Sequence, residues 1–253
     1  MSEETAHTFR RALRGSGRLV RMGALAAATL VRTSRPRSEE GGIELLAEAS
    51  RRALSIHGLD IRVTGRPPQG PALLVSNHLS YLDPIVLVTQ SNCVPISKSD
   101  LASWPVFGAV ARRTGVLFVE RSSPDSRLAV MHAAEDVLRR GGVVLNFPEG
   151  TTTDGSTVLP FRKGLFGAAQ TLNVPVVPVA LRYRPRELAW IGDDAFVPHY
   201  LFFLGLPESA VEVVFGEPIP ARAFGDAQAL AEAARDRIVG LLEDRTEWLR
   251  KAR

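Results

Sequence analysis

The sequence predicts a single α/β domain, a mixed and mostly parallel sheet flanked by helices, preceded by a basic helical arm. We place the arm at residues 1–40 and the domain at residues 41–253. A chain of 253 residues can bury one full core. From residue 41 onward, short apolar runs alternate with helical patterns, which is typical of a parallel sheet. The single cysteine, Cys93, excludes an internal disulfide, so we expect a reduced, cytosol-facing protein.

The arm carries arginines at positions 10, 11, 14, 18 and 21 among apolar residues at partly helical spacing. This pattern favours an interfacial helix whose cations point toward headgroup phosphate. Gly15, Ser16 and Gly17 are expected to interrupt the helix. A helix packed on its own domain and a loose basic tail are open alternatives.

The arm does not resemble a membrane span or a signal peptide. Its longest apolar stretch, residues 19–31, contains Arg21 and falls short of the ~20 residues that a spanning helix needs. An alanine-rich segment followed by arginines fits a signal peptide poorly. The net charge of +4 should draw the protein to anionic surfaces. We expect a peripheral or monotopic protein at the cytoplasmic face of the cell membrane.

Within the domain, apolar runs bounded by turn residues predict seven strands, at residues 61–64, 72–76, 94–97, 116–119, 143–147, 174–181 and 211–215. Helical periodicity predicts helices at residues 43–57, 84–89, 126–139, 163–172 and 227–249. Pro175 and Pro178 are expected at the ends of the sixth strand or at an edge of the sheet, because proline lacks the N–H that a central strand donates. Residues 185–207 are rich in aromatic residues and form either the wall of an apolar groove or ordinary core.

The most informative segment is residues 73–84, an apolar strand that runs into a polar turn and then a helix. His78 follows the strand and Asp83 stands five residues later. The carboxylate can hold one imidazole nitrogen protonated, which leaves the other nitrogen as a base near pH 7. The alternative is that Asp83 caps the helix ahead of Pro84 and has no catalytic role.

Two further strands also end in polar residues. The strand before Pro148 leads to Glu149, Gly150 and Thr151, where the glycine permits close backbone approach and hydroxyls can bind an oxyanion or ester. The strand at residues 116–119 leads to Arg121, whose guanidinium could hold a phosphate by paired hydrogen bonds. An ordinary turn and a solvated arginine are the alternatives.

Together these segments resemble the glycerolipid acyltransferase superfamily, in particular the bacterial 1-acylglycerol-3-phosphate acyltransferases. The HX4D block stands as Asn77, His78 and Asp83, and the second block as Gly115, Phe118 and Arg121. The Phe-Pro-Glu-Gly-Thr block is unchanged at residues 147–151, and a Val-Pro strand follows at residues 174–181. The resemblance covers residues 59–220 and implies a glycerol-3-phosphate-acyltransferase-like fold.

The resemblance also implies the chemistry. His78 would be the catalytic base, oriented by Asp83, in a direct transfer from an acyl thioester to the hydroxyl of 1-acylglycerol-3-phosphate. Arg121 and Lys98 would bind the acceptor headgroup, and Glu149, Gly150 and Thr151 would complete the substrate site. The acyl donor would be acyl-CoA or acyl carrier protein, with no cofactor. No metal is expected, because the cysteine and histidines lack ligand spacing.

The chain departs from the family pattern after Thr151, where many phosphate-acceptor members carry an arginine and this chain has Thr152. Residues 159–164 are similar to members that acylate lyso-ornithine lipid, so this or another lysolipid is the alternative acceptor.

Other classes of function fit the sequence less well. A nucleic-acid module would interleave aromatic residues with the arginines, and the arm offers only Phe9. An inactive membrane-bound scaffold would not need both His78 and Asp83. A thioester hydrolase would carry a Gly-x-Ser-x-Gly elbow, which the sequence lacks.

Overall fold

The computed structural model describes residues 3–34, 38–104, 107–192 and 194–243. Seven strands form one sheet: β1 (Leu59–Thr64), β2 (Ala72–Ser76), β3 (Val94–Lys98), β4 (Leu117–Val119), β5 (Val143–Asn146), β6 (Val176–Arg184) and β7 (Ser209–Phe215). Each lies where the sequence predicts a strand, within a few residues at its ends. The apolar runs give the strands correctly because most of them are buried on both faces, as β2 is throughout.

The sheet order is β1-β7-β6-β2-β5-β3-β4. Strands β6, β2, β5, β3 and β4 run parallel, whereas β7 is antiparallel to β6 and β1 is parallel to β7. The mixed, mostly parallel sheet is therefore confirmed. Its parallel part brings the carboxyl ends of four neighbouring strands, β2, β5, β3 and β4, to one edge.

The described helices cover both faces of the sheet. They are α1 (Glu3–Thr33), α2 (Glu39–His57), α3 (Leu82–Ser91), α4 (Phe107–Arg113), α5 (Pro124–Arg139), α6 (Gly164–Leu172), α7 (Phe196–Gly205) and α8 (Ala227–Glu243), with short 3-10 helices at Ser99–Ser103, Arg186–Leu188 and Ala221–Ala223. Side chains of α2, α3 and α7 share one core with one face of the sheet. Those of α5, α6 and α8 share a second core with the other face. The five predicted domain helices are present. The end of the last one, residues 244–249, lies outside the described residues.

From Glu3 to Thr33 the arm is one continuous helix, so the expected interruption at residues 15–17 is wrong. Gly15 packs against the end of α7, where a Cβ on Gly15 would lie 3.9 Å from the backbone nitrogen of Gly205. A glycine inside a helix costs about 1 kcal/mol relative to alanine. Contacts of α1 with α7 and α2 offset that cost. Between residues 3 and 243, leaving out the gaps named above, no helix is long and apolar enough to cross a bilayer.

The position of Pro178 also differs from the expectation, because β6 is an interior strand paired with β2 on one side and β7 on the other. The pairing of β6 with β7 begins only at Val179, opposite Phe215. The carbonyl of Pro178 accepts the N–H of Gly216 (2.8 Å) beyond the end of β7. The N–H and C=O of one strand residue point to the same side of the strand. The side on which Pro178 lacks an N–H is therefore the side of the loop after β7, and the hydrogen bonds between β6 and β2 stay intact.

Candidate active site

Four predicted site residues meet at the carboxyl edge of the parallel strands. His78 follows β2, Glu149 follows β5, Lys98 ends β3 and Arg121 follows β4. Asn77 fixes the start of the turn that follows β2. Its buried side-chain amide accepts the N–H of Leu181 on β6 (2.8 Å) and donates to the carbonyl of the same residue (3.0 Å). The edge of an open α/β sheet is where such proteins bind ligands.

His78 and Asp83 form the predicted dyad. The Nδ1 atom of His78 lies 2.7 Å from Oδ2 of Asp83. The imidazole is largely buried, with 16% of its side chain exposed, and the carboxylate is fully buried. Within the described part of the chain, Nε2 of His78 takes no hydrogen bond. A carboxylate on Nδ1 keeps the proton there, so Nε2 is left as a base that faces solvent.

The Asp83 side chain does not cap α3, although that was the open alternative. Helix α3 begins at Leu82, with Tyr81 in the capping position. The carboxylate accepts the N–H groups of Leu79 (2.6 Å) and Ser80 (2.9 Å), which precede the helix, whereas a cap would accept N–H groups that follow it. Asp83 therefore folds the turn around the histidine and holds the imidazole at the same time.

Glu149 supports the histidine from the neighbouring strand. One carboxylate oxygen accepts the backbone N–H of His78 (2.7 Å) and the other that of Leu159 (2.9 Å). Burial raises the pKa of Glu149, and the two N–H groups oppose that shift. Phe147 stacks on the His78 ring, with centroids 4.2 Å apart. Sequence reasoning placed Glu149 in the substrate site and gave Phe147 no role, whereas the structure engages both with His78.

Two guanidinium groups lie against Gly150, and Lys98 ends β3 at the same edge of the sheet. Arg121 donates from Nη1 to the Gly150 carbonyl. The guanidinium of Arg162 lies against the same glycine, since a Cβ on Gly150 would lie 2.9 Å from its central carbon. Lys98 is exposed and forms an ion pair with Asp100. Burial and the nearby Arg162 charge lower the pKa of Arg121, and Asp100 opposes them. The cluster therefore carries more positive than negative charge.

Arg162 was not among the predicted site residues. Its backbone N–H donates to the carbonyl of Pro148 (3.0 Å), which pins residues 161–162 to the turn that bears Glu149. The available signal was the cation pair Arg162-Lys163 in the stretch at residues 159–164. Thr151 is exposed beside this cluster, and Thr153 closes the turn by donating its N–H to the His78 carbonyl (2.9 Å).

Aromatic residues of the 185–207 segment line the other side of the turn. Trp190 donates its backbone N–H to the carbonyl of Leu79 (2.8 Å). Tyr81 packs edge-on against Trp190 and Phe196, with ring centroids 5.7 and 5.0 Å apart. Trp104 packs on Phe196 at 4.5 Å. Trp190 and Phe196 thus pack beside the turn, whereas Leu188 and Phe203 of the same segment belong to the core, so the structure does not separate the two sequence interpretations.

Comparison with known proteins gives consistent similarities. A family model described as Acyltransferase matches residues 60–182. A lyso-ornithine lipid O-acyltransferase from Brucella abortus is 37% identical over 211 residues, 74% of this chain and 78% of that protein. A 1-acyl-sn-glycerol-3-phosphate acyltransferase from Neisseria gonorrhoeae is 31% identical over 215 residues, 84% and 80% of the two chains.

A solved structure shares the fold. The crystal structure of the 1-acyl-sn-glycerophosphate acyltransferase PlsC from Thermotoga maritima superposes with a TM-score of 0.72, covering 95% of this chain and 98% of that chain. The two sequences are 20% identical, so this similarity concerns the fold alone.

Proposed function

The chain belongs to the acyltransferase family, and from that premise we propose that it transfers a fatty acyl group from a thioester to the hydroxyl of a lysolipid whose headgroup carries a phosphate or a carboxylate. The observation that carries the proposal is the dyad at the strand edge. Its Nδ1 is held by a buried carboxylate (2.7 Å), and two guanidinium groups lie against Gly150, the residue after the glutamate that accepts the His78 backbone N–H. No metal or cofactor takes part in the reaction as we write it.

In this mechanism Nε2 of His78 removes the proton from the acceptor hydroxyl as its oxygen attacks the thioester carbonyl carbon. The tetrahedral intermediate collapses, the carbon–sulfur bond breaks, and the thiolate leaves with the proton from the imidazolium. Asp83 stabilises the transient imidazolium. Its complete burial strengthens that interaction, because little water screens it. The hydroxyl and the thioester carbonyl must both lie beside the exposed edge of the imidazole.

The headgroup would bind at Lys98, Arg121 and Arg162, beside Gly150. Asp100 already pairs with Lys98, so an anion is needed to offset the two guanidinium groups. A phosphate monoester carries about −1.5 to −2 charges at pH 7 and accepts paired hydrogen bonds from arginine. This charge balance supports 1-acylglycerol-3-phosphate as acceptor, with phosphatidic acid as product.

Lyso-ornithine lipid is the second candidate acceptor. The Brucella abortus relative named for it is 37% identical, against 31% for the Neisseria gonorrhoeae phosphate-acceptor relative. Ornithine attached through one amino group keeps a carboxylate, which one guanidinium could bind, and an ammonium. Asp100 is the acidic group of the cluster that could accept that ammonium.

One experiment tests the reaction and the acceptor together. The purified protein is incubated with a labelled acyl-CoA or acyl carrier protein thioester and with 1-acylglycerol-3-phosphate, lyso-ornithine lipid or lysophosphatidylcholine. We expect acylated product from 1-acylglycerol-3-phosphate or from lyso-ornithine lipid with at least one donor. Product from none of the acceptors with either donor would refute the proposal. Free fatty acid as the main product would show a hydrolase instead.

We further propose that α1 places the site at the cytoplasmic face of an anionic membrane. Only some of the α1 arginines would contact the lipid headgroups. Arg14 and Arg18 donate to the carbonyls of residues 204–206 on the inner side of α1. The outward side is an apolar stripe of Phe9, Leu13, Val20 and Val31, each more than 60% exposed. The expectation that the arginines face headgroups therefore does not hold for these two. Arg10 and Arg21 are exposed and could still meet lipid phosphate.

The stripe predicts that membrane binding depends mainly on apolar burial. In cosedimentation with vesicles of phosphatidylglycerol and phosphatidylcholine, Leu13→Ser with Val20→Ser should release most of the protein. Arg10→Gln with Arg21→Gln should remove only the salt-sensitive part of the affinity. If the serine variant bound as tightly as the unmodified protein, the membrane contact would lie elsewhere, for example at the exposed Val197 and Leu201 of α7.

A further inference from the structure

The two carboxylate oxygens of Asp83 have unequal surroundings. Oδ2 accepts from the Nδ1–H of His78 and from the backbone N–H groups of Leu79 and Ser80, at 2.6 to 2.9 Å. Oδ1 is buried and has no hydrogen-bond partner among the residues that the structure describes. A buried acceptor without a donor carries a desolvation cost that a single hydroxyl could remove. The catalytic carboxylate is thus held on one side only.

A hydroxyl that could donate to Oδ1 belongs to β6, the strand next to β2. Tyr183 belongs to β6, and its side chain is on the face of the sheet that packs against α3, together with Val179 and Leu181. Its phenol oxygen is buried and, within the described ranges, likewise lacks a partner. Burial raises the pKa of Tyr183 well above its ordinary value, and the charge of the nearby Asp83 raises it further. The phenol is therefore protonated and able to donate, and one oxygen of the nearby carboxylate lacks a donor.

We propose that Tyr183 is a positioning residue that donates its hydroxyl hydrogen to Oδ1 of Asp83 and extends the dyad to a Tyr183–Asp83–His78 chain. This inference rests on the proposed function, because it assigns Tyr183 to the support of the catalytic base. Two bonded oxygens fix the rotation of the carboxylate, and through it the plane of the imidazole. The hydrogen bond from the hydroxyl also withdraws part of the negative charge with which Asp83 stabilises the imidazolium.

Tyr183→Phe tests the proposal with little risk to folding, because only a hydroxyl is removed. We expect kcat to fall about fivefold, equivalent to ~1 kcal/mol, with both substrate KM values unchanged. Without the hydroxyl, Asp83 stabilises the imidazolium more strongly, so the acid limb of the kcat profile should move to higher pH. Glu149 and Tyr81 are the other titratable groups that interact with Tyr183, Asp83 or His78. Both are unchanged in the Tyr183→Phe variant. Tyr200→Phe is the matched control, because its hydroxyl is 3.3 Å from Nε2 of His57 rather than beside Asp83.

A double-mutant cycle with Asp83→Asn separates positioning from packing. If Tyr183 acts through Asp83, Tyr183→Phe should change kcat far less in the Asp83→Asn background than in the unmodified protein. Ser80→Ala is included, because the Ser80 hydroxyl is also buried without a partner in the described structure. Additive effects for Tyr183, or coupling of Asp83 to Ser80 instead, would overturn the assignment.

The same cycle can be measured by urea unfolding, which requires no activity. Coupling between Tyr183 and Asp83 in the free energy of unfolding would support their hydrogen bond even if no tested lysolipid were acylated. Absence of coupling in unfolding and in kcat would refute it while the acyl transfer stood. Failure of the proposed function and failure of this inference are thus distinguishable.

Discussion

Arginines in two regions of the molecule contact backbone carbonyls under opposite electrostatic conditions. In the α1–α7 layer, Arg14 and Arg18 donate to carbonyls at the end of α7, where the helix dipole places partial negative charge. At the strand edge, Arg121 contacts the carbonyl of Gly150 beside a second guanidinium, Arg162. The first pair finds its complement inside the protein, whereas the second keeps surplus charge. Arginines whose hydrogen bonds are made inside the protein thus have a structural role. Arginines whose positive charge is not offset by the protein indicate a site for an anionic ligand.

The histidines of the two regions differ in the same way. His78 pairs with a carboxylate and is partly exposed. His57 is buried against Phe203, with ring centroids 4.5 Å apart, and its Nδ1 lacks a partner among the described residues. Burial, and then the charge of Arg18, lower the pKa of His57 to about 4. The exposed edge of His78 is open to a substrate, whereas His57 is held neutral by the fold.

The largest effect is expected at His78. His78→Ala should reduce kcat at least about 10³-fold, within the range attributed to general bases, because no other imidazole replaces it at the turn. The free energy of unfolding should change little. His132→Ala, at an exposed position on α5, is the control and should be fully active. Retention of more than a few per cent of activity in His78→Ala would mean that another group is the base.

The next effect concerns His57 and appears as a pH dependence of stability. The unfolded chain binds a proton at His57 below about pH 6.5, whereas the folded chain resists it until about pH 4. Stability from the neutral imidazole is therefore present above pH 6.5 and should decline by roughly 2–3 kcal/mol as the pH falls to about 4. Urea unfolding across this range should show the decline in the unmodified protein and a smaller one in His57→Gln. Equal declines would show that His57 does not contribute.

Arg18 tests the internal side of the comparison. Arg18→Ala removes the donors to Leu204 and Leu206. It should lower the free energy of unfolding by about 1–2 kcal/mol, somewhat below the usual range of about 1.5–3 kcal/mol for hydrogen bonds of charged groups, because these bonds are only part-buried. KM for the lysolipid in detergent should not change. Arg10→Ala, an exposed neighbour on α1, is the matched control for stability. A raised acceptor KM in Arg18→Ala would contradict the structural role.

Arg121 tests the ligand side and has the smallest expected effect in free energy. Arg121→Ala should raise KM for the anionic acceptor about tenfold, which corresponds to ~1.4 kcal/mol, and leave KM for the acyl thioester near normal. Arg121→Lys should restore only part of the loss, because an ammonium lacks the paired donors of a guanidinium. A loss confined to the donor would reverse the assignment of the two substrate sites.

The sequence predicted the part of the fold that depends on local patterns. Strands β1 to β7 were identified because they read as short apolar runs, and five helices of the domain because their apolar residues recur at helical spacing, whereas the short helix α4 was not predicted. Helix α7 was missed because its sequence is apolar on nearly all sides, so no periodicity marks it. The sequence placed His78 and Glu149 each just after a strand, but only the pairing of β2 with β5 shows that they are in contact.

Tertiary structure alone decided which side of α1 faces the domain and which distant residues join the dyad. Helical spacing separates the arginines of α1 from its apolar residues, yet it cannot say which set turns inward. That choice depends on the carbonyls at the end of α7, 191 residues from Arg14 along the chain. In the same way Arg162 reaches Gly150, and Tyr183 lies beside Asp83, only after β5 and β6 pair on either side of β2. Periodicity reports on neighbours along the chain, whereas these contacts are set by the order of strands in the sheet.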